Sequence, residues 1–120
     1  MNNSKSVQTN TFAEVITNLP EAVLPFEDAR AWIMQGDRHQ LIFFEMKPSV
    51  KVPEHSHNYA QWGMVIAGEM KLTISGKART CTKGDEYVIP AQAKHSATFS
   101  RKTRVLDFFS EKARYKAKCI

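Results

Sequence analysis

Cysteine is scarce in this chain, which has 120 residues and only two cysteines, Cys81 and Cys119. The two lie far apart in unrelated sequence contexts. They therefore do not form the even, closely spaced set that is typical of a disulfide-bonded secreted domain. We expect a reducing, cytoplasmic location.

Long hydrophobic runs are also missing. No apolar stretch approaches the roughly 20 residues that a membrane-spanning helix requires, so no membrane partner is expected. Residues 1–10, MNNSKSVQTN, are polar and lack the apolar core of a secretory signal. We expect a disordered N-terminus there, followed by a single domain.

The excess of positive charge lies at the C-terminal end. The formal net charge is +5, and residues 101–120 contain seven basic residues against two acidic ones, whereas the first 100 residues are balanced. Much of the excess lies in EKARYKAK, which predicts a solvated basic tail over residues 111–120, with weak attraction to an acidic partner as the alternative. No nucleic-acid-binding motif accompanies this charge, so no nucleic-acid partner is expected.

Short β-branched or aromatic runs, separated by Gly, Pro and Asp turns, follow one another from residue 30 to residue 110. The runs are RAWIM, HQLIFFEMK, PSVKVP, WGMVIAGEMKLTIS, ARTCT, YVIPA, HSATF and RVLDFFS. This pattern predicts an all-β sandwich or barrel. Residues 11–27 contain Pro20 and Pro25, which predict an extended segment over a sheet edge, after a helical turn near residues 12–16. We assign residues 11–110 to one barrel domain.

Two histidines two residues apart, His55 and His57, are the first candidate ligands. On a β-strand such residues point the same way, so their ring nitrogens can converge on one ion. Gln61 keeps this parity if the strand resumes after residues 58–60. An isolated His-x-His is more often a pair of surface histidines, so the interpretation depends on a second segment.

That second segment is GDEYVIPAQAKHSATF, in which Gly84, Pro90 and His95 follow in a fixed order. Together the two segments resemble the motifs of the cupin family, G-x5-H-x-H-x3,4-E-x6-G and G-x5-P-x-G-x2-H-x3-N. HSHNYAQWGMVIAG is similar to the first motif from His55 to Gly68 apart from one ligand. The resemblance covers roughly residues 40–110. It implies a single-domain cupin with a double-stranded β-helix, or jelly-roll barrel, and a metal inside the barrel.

The resemblance also implies a ligand set. His55, His57 and His95 would bind one divalent metal ion, and Gln61 stands where the family usually has glutamate. Gln61 either ligates through its carbonyl oxygen or hydrogen-bonds behind a site of three histidines, and both alternatives stay open. This set of ligands does not distinguish among Fe, Mn, Ni and Zn.

Three further positions depart from the motifs. Ser49 and Gln92 replace motif glycines, and Phe99 replaces the terminal asparagine. We expect these departures to alter turn geometry more than ligation. With the amide of Gln61 in place of a carboxylate, the metal and its ligands would carry a net charge of about +2 instead of about +1. The higher charge favours an anionic oxygen ligand. Gln61 also cannot act as a general base.

The remaining candidates have plainer interpretations. We expect His39 to be a solvated strand-end histidine and Cys81 to be a small buried residue. Asp107 would require a partner if it is buried, and otherwise points outward at the edge. Four bulky residues could line a pocket but are more often core, namely Trp62, Met64, Tyr87 and Phe99.

The resemblance implies a metal-binding small cupin, and we expect a metal-dependent enzyme acting on a small, anionic, oxygen-bearing metabolite. The reaction would be dioxygenase-like, or a non-redox isomerase, lyase or cyclase reaction that needs only Lewis acidity. The alternative is a non-catalytic small-molecule-binding or sensor cupin. Barrels of this size commonly pair, so a homodimer is expected, with residues 11–27 able to add to a neighbour's sheet edge.

Overall fold

The structure, a computed structural model, describes residues 10–119. The predicted disordered N-terminus therefore lies, except for Asn10, outside the described residues. Within them, one short helix, α1, spans Glu14–Thr17 and nine strands follow it. The strands are β1 Ala29–Gln35, β2 Gln40–Met46, β3 Lys51–His55, β4 Gln61–Ala67, β5 Glu69–Ile74, β6 Lys77–Thr82, β7 Glu86–Ile89, β8 His95–Phe99 and β9 Thr103–Phe109.

The strands form two antiparallel sheets. One has the order β1-β2-β9-β4-β7 and the other the order β3-β8-β5-β6. Strands distant in sequence are neighbours in both sheets, as in a jelly roll. The predicted all-β cupin barrel is confirmed. Among residues 10–119, no helix is both long enough and apolar enough to cross a membrane.

Alternating side chains place the core between the sheets. In β2 and β9 every second residue is buried, and Ile42, Phe44, Val105 and Phe109 all belong to the core cluster. The other face of β2 is partly covered, because the Phe12 ring lies edge-on against Phe43 with ring centroids 5.5 Å apart. Phe43 is therefore partly covered although it lies on the face of β2 that points away from the core.

The proline-containing segment lies along the edge of β1. The backbone N–H of Ala22 donates to the carbonyl oxygen of Ala31 at 2.8 Å, and that of Ile33 donates to Pro20 at 2.8 Å. Pro20 itself has no N–H to offer, so it contributes an acceptor at this edge. The segment therefore covers the open side of the five-stranded sheet.

The last described residues also contact the barrel. The N–H of Tyr115 donates to Oε1 of Gln40 at 2.9 Å, and Gln40 Nε2 donates back to the Tyr115 carbonyl at 2.9 Å. The N–H of Val23 donates to the Lys116 carbonyl at 2.8 Å. The interpretation of residues 111–120 as a solvated tail is therefore wrong for Tyr115, whereas Lys112 and Lys116 are exposed and Ile120 lies outside the described residues. The division of the chain at residue 110 stays a prediction.

Candidate metal centre

Two neighbouring strands of the four-stranded sheet bring the histidines together. His55 ends β3 and His95 begins β8, and the two residues pair directly across the sheet. His57 lies in the loop after β3, and Gln61 begins β4. Strand parity therefore does not place His57, but the loop returns its ring to within 4.9 Å of the His95 ring, centroid to centroid.

The three imidazoles bring ring nitrogens close together. One ring nitrogen from each of His55, His57 and His95 lies within 4.8 Å of the other two. Each Nδ1 lies against a backbone carbonyl two residues away in sequence: His55 against Pro53 at 2.9 Å, His57 against Tyr59 at 2.8 Å, and His95 against Ala93 at 2.9 Å. Because Nδ1 carries the proton that is donated to the carbonyl, the lone pair of each neutral ring is on Nε2.

Burial keeps two of these rings neutral. It lowers the pKa of His57, and it lowers the pKa of His95 to about 4, in each case because the charged form loses solvation. The neighbouring carbonyls of Tyr59 and Ala93 oppose this effect without cancelling it. Neutral imidazole is the form that binds metals, so these rings are ready to ligate near pH 7.

Gln61 lies against the same group of nitrogens. Its Oε1 is 3.1 Å from Nε2 of His57. A neutral imidazole carries a single N–H, which His57 already donates to the Tyr59 carbonyl, so Nε2 and Oε1 meet as two acceptors. A cation shared by the two atoms would remove this conflict. The donor set therefore fits a divalent metal ion.

Asp107 fixes the orientation of that amide. The Gln61 side chain donates a hydrogen bond to the Asp107 carboxylate, which leaves Oε1 facing His57. The Asp107 carboxylate also accepts a 2.6 Å hydrogen bond from the Tyr87 hydroxyl. Asp107 is thus a buried acid that has hydrogen-bond partners, which is one of the two alternatives that the sequence left open.

Asp107 is only weakly acidic in this setting. Burial raises its pKa from 3.8 to about 6, against the lowering effects of the Tyr87 and Gln61 hydrogen bonds and of the Arg114 charge. Burial and the adjacent carboxylate together raise the pKa of Tyr87 well above its usual value. Tyr87 is therefore a permanent hydrogen-bond donor to Asp107.

A short loop before β8 ties the two halves of the site together. The backbone N–H of Gln92 donates to the carbonyl oxygen of His57 at 2.7 Å. Gln92 has φ 72°, in the left-handed region that favours glycine, and it stands where the cupin motif has glycine. The predicted effect on turn geometry thus has a concrete form, a non-glycine residue in a glycine conformation.

The site opens onto a cavity of about 260 Å³ inside the barrel. Tyr87 and Phe99 line it together with aliphatic core residues, whereas Trp62 and Met64 lie on the opposite face of β4. The polar end of the cavity contains His55, Gln61, His95, Asp107 and Arg114. His39 is remote and exposed, and its ring lies 4.9 Å from that of Phe108.

Arg114 is the residue at this site that sequence reasoning missed. Its Nη2 lies 3.4 Å from Nε2 of His55, and its guanidinium covers the rings of Tyr115 and Phe109 at 5.1 and 5.6 Å. In the sequence it is one of several basic residues in EKARYKAK. The adjacent tyrosine, an aromatic residue in an otherwise polar stretch, was the one available sign that the segment packs against the barrel.

Residues 42–109 match the cupin domain family, and the chain belongs to it. A curated mannose-1-phosphate guanylyltransferase from Salmonella montevideo is 31% identical over 61 residues, half of this chain. The chain spans only 13% of that relative's length.

Solved structures share the fold. An RmlC-like cupin from Shewanella frigidimarina has a TM-score of 0.72 at 17% identity, covering 90% of this chain and 94% of that one. KdgF from Halomonas sp. has a TM-score of 0.69 at 20% identity, covering 78% and 86%. Salicylate 1,2-dioxygenase from Pseudoaminobacter salicylatoxidans, in a structure of its adducts with gentisate, has a TM-score of 0.67 at 15% identity, covering 72% and 26%.

Family membership and the three clustered histidines together indicate a metal site. The structure brings together all four residues that the sequence singled out as ligands. The identity of the metal, and ligation by the three histidines and by Gln61, stay predictions.

Proposed function

We propose that this cupin is a metal-dependent enzyme that acts on a small anionic metabolite through one of its oxygen atoms. The observation that carries the proposal is the position of the clustered histidines beside the barrel cavity, with His55 and His95 in its wall and Nδ1 of each histidine against a carbonyl. A purely structural metal site is closed on all sides, whereas a catalytic one keeps a position open to substrate.

His55, His57 and His95 would hold the ion, with Gln61 completing or tuning the set. Once bound, a divalent metal would supply Lewis acidity to a substrate oxygen. The surrounding side chains determine what enters. Most of the cavity wall is apolar, with buried residues such as Phe44, Leu72 and Ile89, which suits the carbon skeleton of a small organic molecule.

A non-redox proton transfer is the reaction that the side chains favour. Gln61 cannot exchange a proton, but Asp107 lines the same cavity as His55 and His95. Among the described lining residues it is the one carboxylic acid. A carboxyl group beside the bound substrate can take a proton from one atom and return it to another, as an isomerase, lyase or cyclase requires.

A dioxygenase-like reaction is the second candidate. It is favoured by the three-histidine ligand set, which leaves room for further ligands, and is compatible with the fold shared with salicylate 1,2-dioxygenase. A non-catalytic cupin that only binds a small molecule is the third, because the cavity would serve that role without chemistry.

One experiment separates the three candidates. Metal-loaded protein is incubated with a panel of enolisable small acids in D2O, with and without oxygen, and followed by NMR. Proton transfer predicts deuterium incorporation or product without oxygen, and its loss in Asp107→Asn. Product that appears only with oxygen favours the dioxygenase. Saturable binding with no turnover in either atmosphere leaves the binding protein.

We also propose that the chain forms a homodimer. Residues 20–22 cover β1, but β7 and β6 are edge strands in the described part of the barrel. Val88 of β7 is 60% exposed, which is consistent with burial against a second chain. Light scattering should give twice the mass of the chain in solution, and a monomer mass would refute the proposal.

A further inference from the structure

We infer that Arg114 is the carboxylate-binding residue of the cavity, so that the substrate is a small acid whose carboxylate lies close to its metal-binding oxygen. The inference deepens the proposed function and rests on it for the role of the metal. The binding of the anion by Arg114 does not depend on the proposed function. Arg114 contacts the candidate ligand His55 itself, at 3.4 Å, so one small molecule can reach both groups.

The guanidinium is held in place before any ligand arrives. Its plane lies over the rings of Tyr115 and Phe109, at 5.1 and 5.6 Å. Tyr115 in turn exchanges two backbone–amide hydrogen bonds with the buried side chain of Gln40. An arginine that is fixed in this way loses little side-chain entropy when it binds an anion, because most of that freedom is already lost.

One donor of this guanidinium has no acceptor. Nε of Arg114 is buried, and among residues 10–119 it has no hydrogen-bond partner. Leaving a buried donor unpaired costs about 1–3 kcal/mol, and more for a charged group. The Arg114 side chain lines the cavity, which makes a ligand bound in the cavity the candidate acceptor for this donor.

The same chain shows what this edge of a guanidinium binds. Nε and Nη2 of Arg30 donate to the two carboxylate oxygens of Glu21 at 3.0 and 2.9 Å. The corresponding atoms of Arg114 are the unpaired Nε and the Nη2 that now donates to His55. A metal bound to His55 would use the lone pair that Nη2 contacts, which would free the whole edge for a carboxylate.

The charge of the cavity supports an anionic ligand. Among the described residues that line the cavity there is one acid, Asp107, which already accepts hydrogen bonds from Tyr87 and Gln61. Arg114 and a divalent metal together outweigh that single negative charge. The flat, bidentate shape of a carboxylate matches the Nε–Nη2 edge, and the remaining wall is apolar, as suits a small organic acid.

The test follows the Nε–H signal of Arg114 by 1H–15N NMR, first in metal-free and then in metal-loaded protein. Acetate is the probe and acetamide, which has the same shape without the charge, is the matched control. The signal is assigned by its loss in Arg114→Lys. We expect acetate to shift it downfield saturably while acetamide does not. No shift with acetate, or equal shifts with both probes, would overturn the inference.

The affinity for acetate can be measured independently in variants, from the methyl NMR signals of the cavity residues Val52 and Ala97. Arg114→Gln should weaken acetate binding at least about tenfold, and Arg114→Lys should weaken it less. Arg79→Gln, which makes the same charge change at an exposed position of β6, should leave it unchanged. Wild-type affinity in Arg114→Gln would contradict the inference.

Acetate binding without metal uptake would refute the proposed function alone, and metal uptake without an acetate shift would refute this inference alone.

Discussion

The hydroxyl of Tyr87 donates a 2.6 Å hydrogen bond to Oδ1 of Asp107, and both side chains are buried. Tyr87 in β7 and Asp107 in β9 are opposite the same residue of β4, Gly63. A Cβ atom on Gly63 would collide with both side chains. The glycine therefore provides the space in which the hydroxyl and the carboxylate meet, beside Gln61.

The first prediction concerns this bond. Tyr87→Phe removes the donor and leaves a buried carboxylate short of a partner, so we expect a loss of about 1–3 kcal/mol in the free energy of unfolding. Because the bond lowers the pKa of Asp107, its removal should raise that pKa above its present value of about 6. Urea unfolding and carboxyl 13C NMR measure the two effects.

Tyr59→Phe is the matched control for this prediction. It removes the same hydroxyl from a half-buried ring, stacked on His57 at 4.3 Å, for which the described residues show no hydroxyl hydrogen bond. We expect its stability to stay close to that of the wild type. Equal effects of the two variants would mean that the Tyr87–Asp107 bond contributes nothing specific.

The second prediction concerns the strained loop that leads to His95. Gln92→Gly relieves a φ of 72°, which is unfavourable for residues with a Cβ, while adding some freedom to the unfolded chain. We expect a net stabilisation of about 0.5–1 kcal/mol, seen as a higher melting temperature. Gln92→Ala, which keeps a Cβ, should not show this gain. A lower melting temperature for the glycine variant would contradict the interpretation.

The third prediction concerns acid. The pKa of His95 is about 4 in the folded protein and 6.5 ordinarily, so the unfolded chain binds the extra proton first as pH falls. Stability from this group is present above pH 6.5 and is lost towards pH 4. With a chelator present, the free energy of unfolding should fall over this range, and less steeply in His95→Asn. Identical slopes for the two proteins would rule out a neutral, buried His95.

Much of the fold could be predicted because its signals are local. The turn at Gly68, which has φ 94°, and the alternation of Met70, Leu72 and Ile74 each depend on a few neighbouring residues. His55, His57 and His95 were predicted to meet because two spaced motifs resembled those of a family. The motif spacing can be read from the sequence even though the end of β3 and the start of β8 are 40 positions apart.

The contributions of Asp107 and Arg114 could not be predicted in the same way. The hydrogen bonds of Asp107 depend on β4 lying between β7 and β9, an order that the sequence does not display. Arg114 reaches the cavity because Tyr115 pairs with Gln40, 75 positions away. A charge pattern reports local polarity, and it carries no signal for such a long-range contact.

The proposed function depends on a metal ion held by His55, His57 and His95. The most direct measurement is the metal content of protein purified without a chelator or an affinity column charged with nickel. His57→Ala removes a proposed ligand, and His39→Ala removes an exposed histidine outside the cluster. We expect about one equivalent of divalent metal per chain in the wild type and in His39→Ala, and its loss in His57→Ala. Wild-type protein that contains no metal, and takes up none on reconstitution, would contradict it.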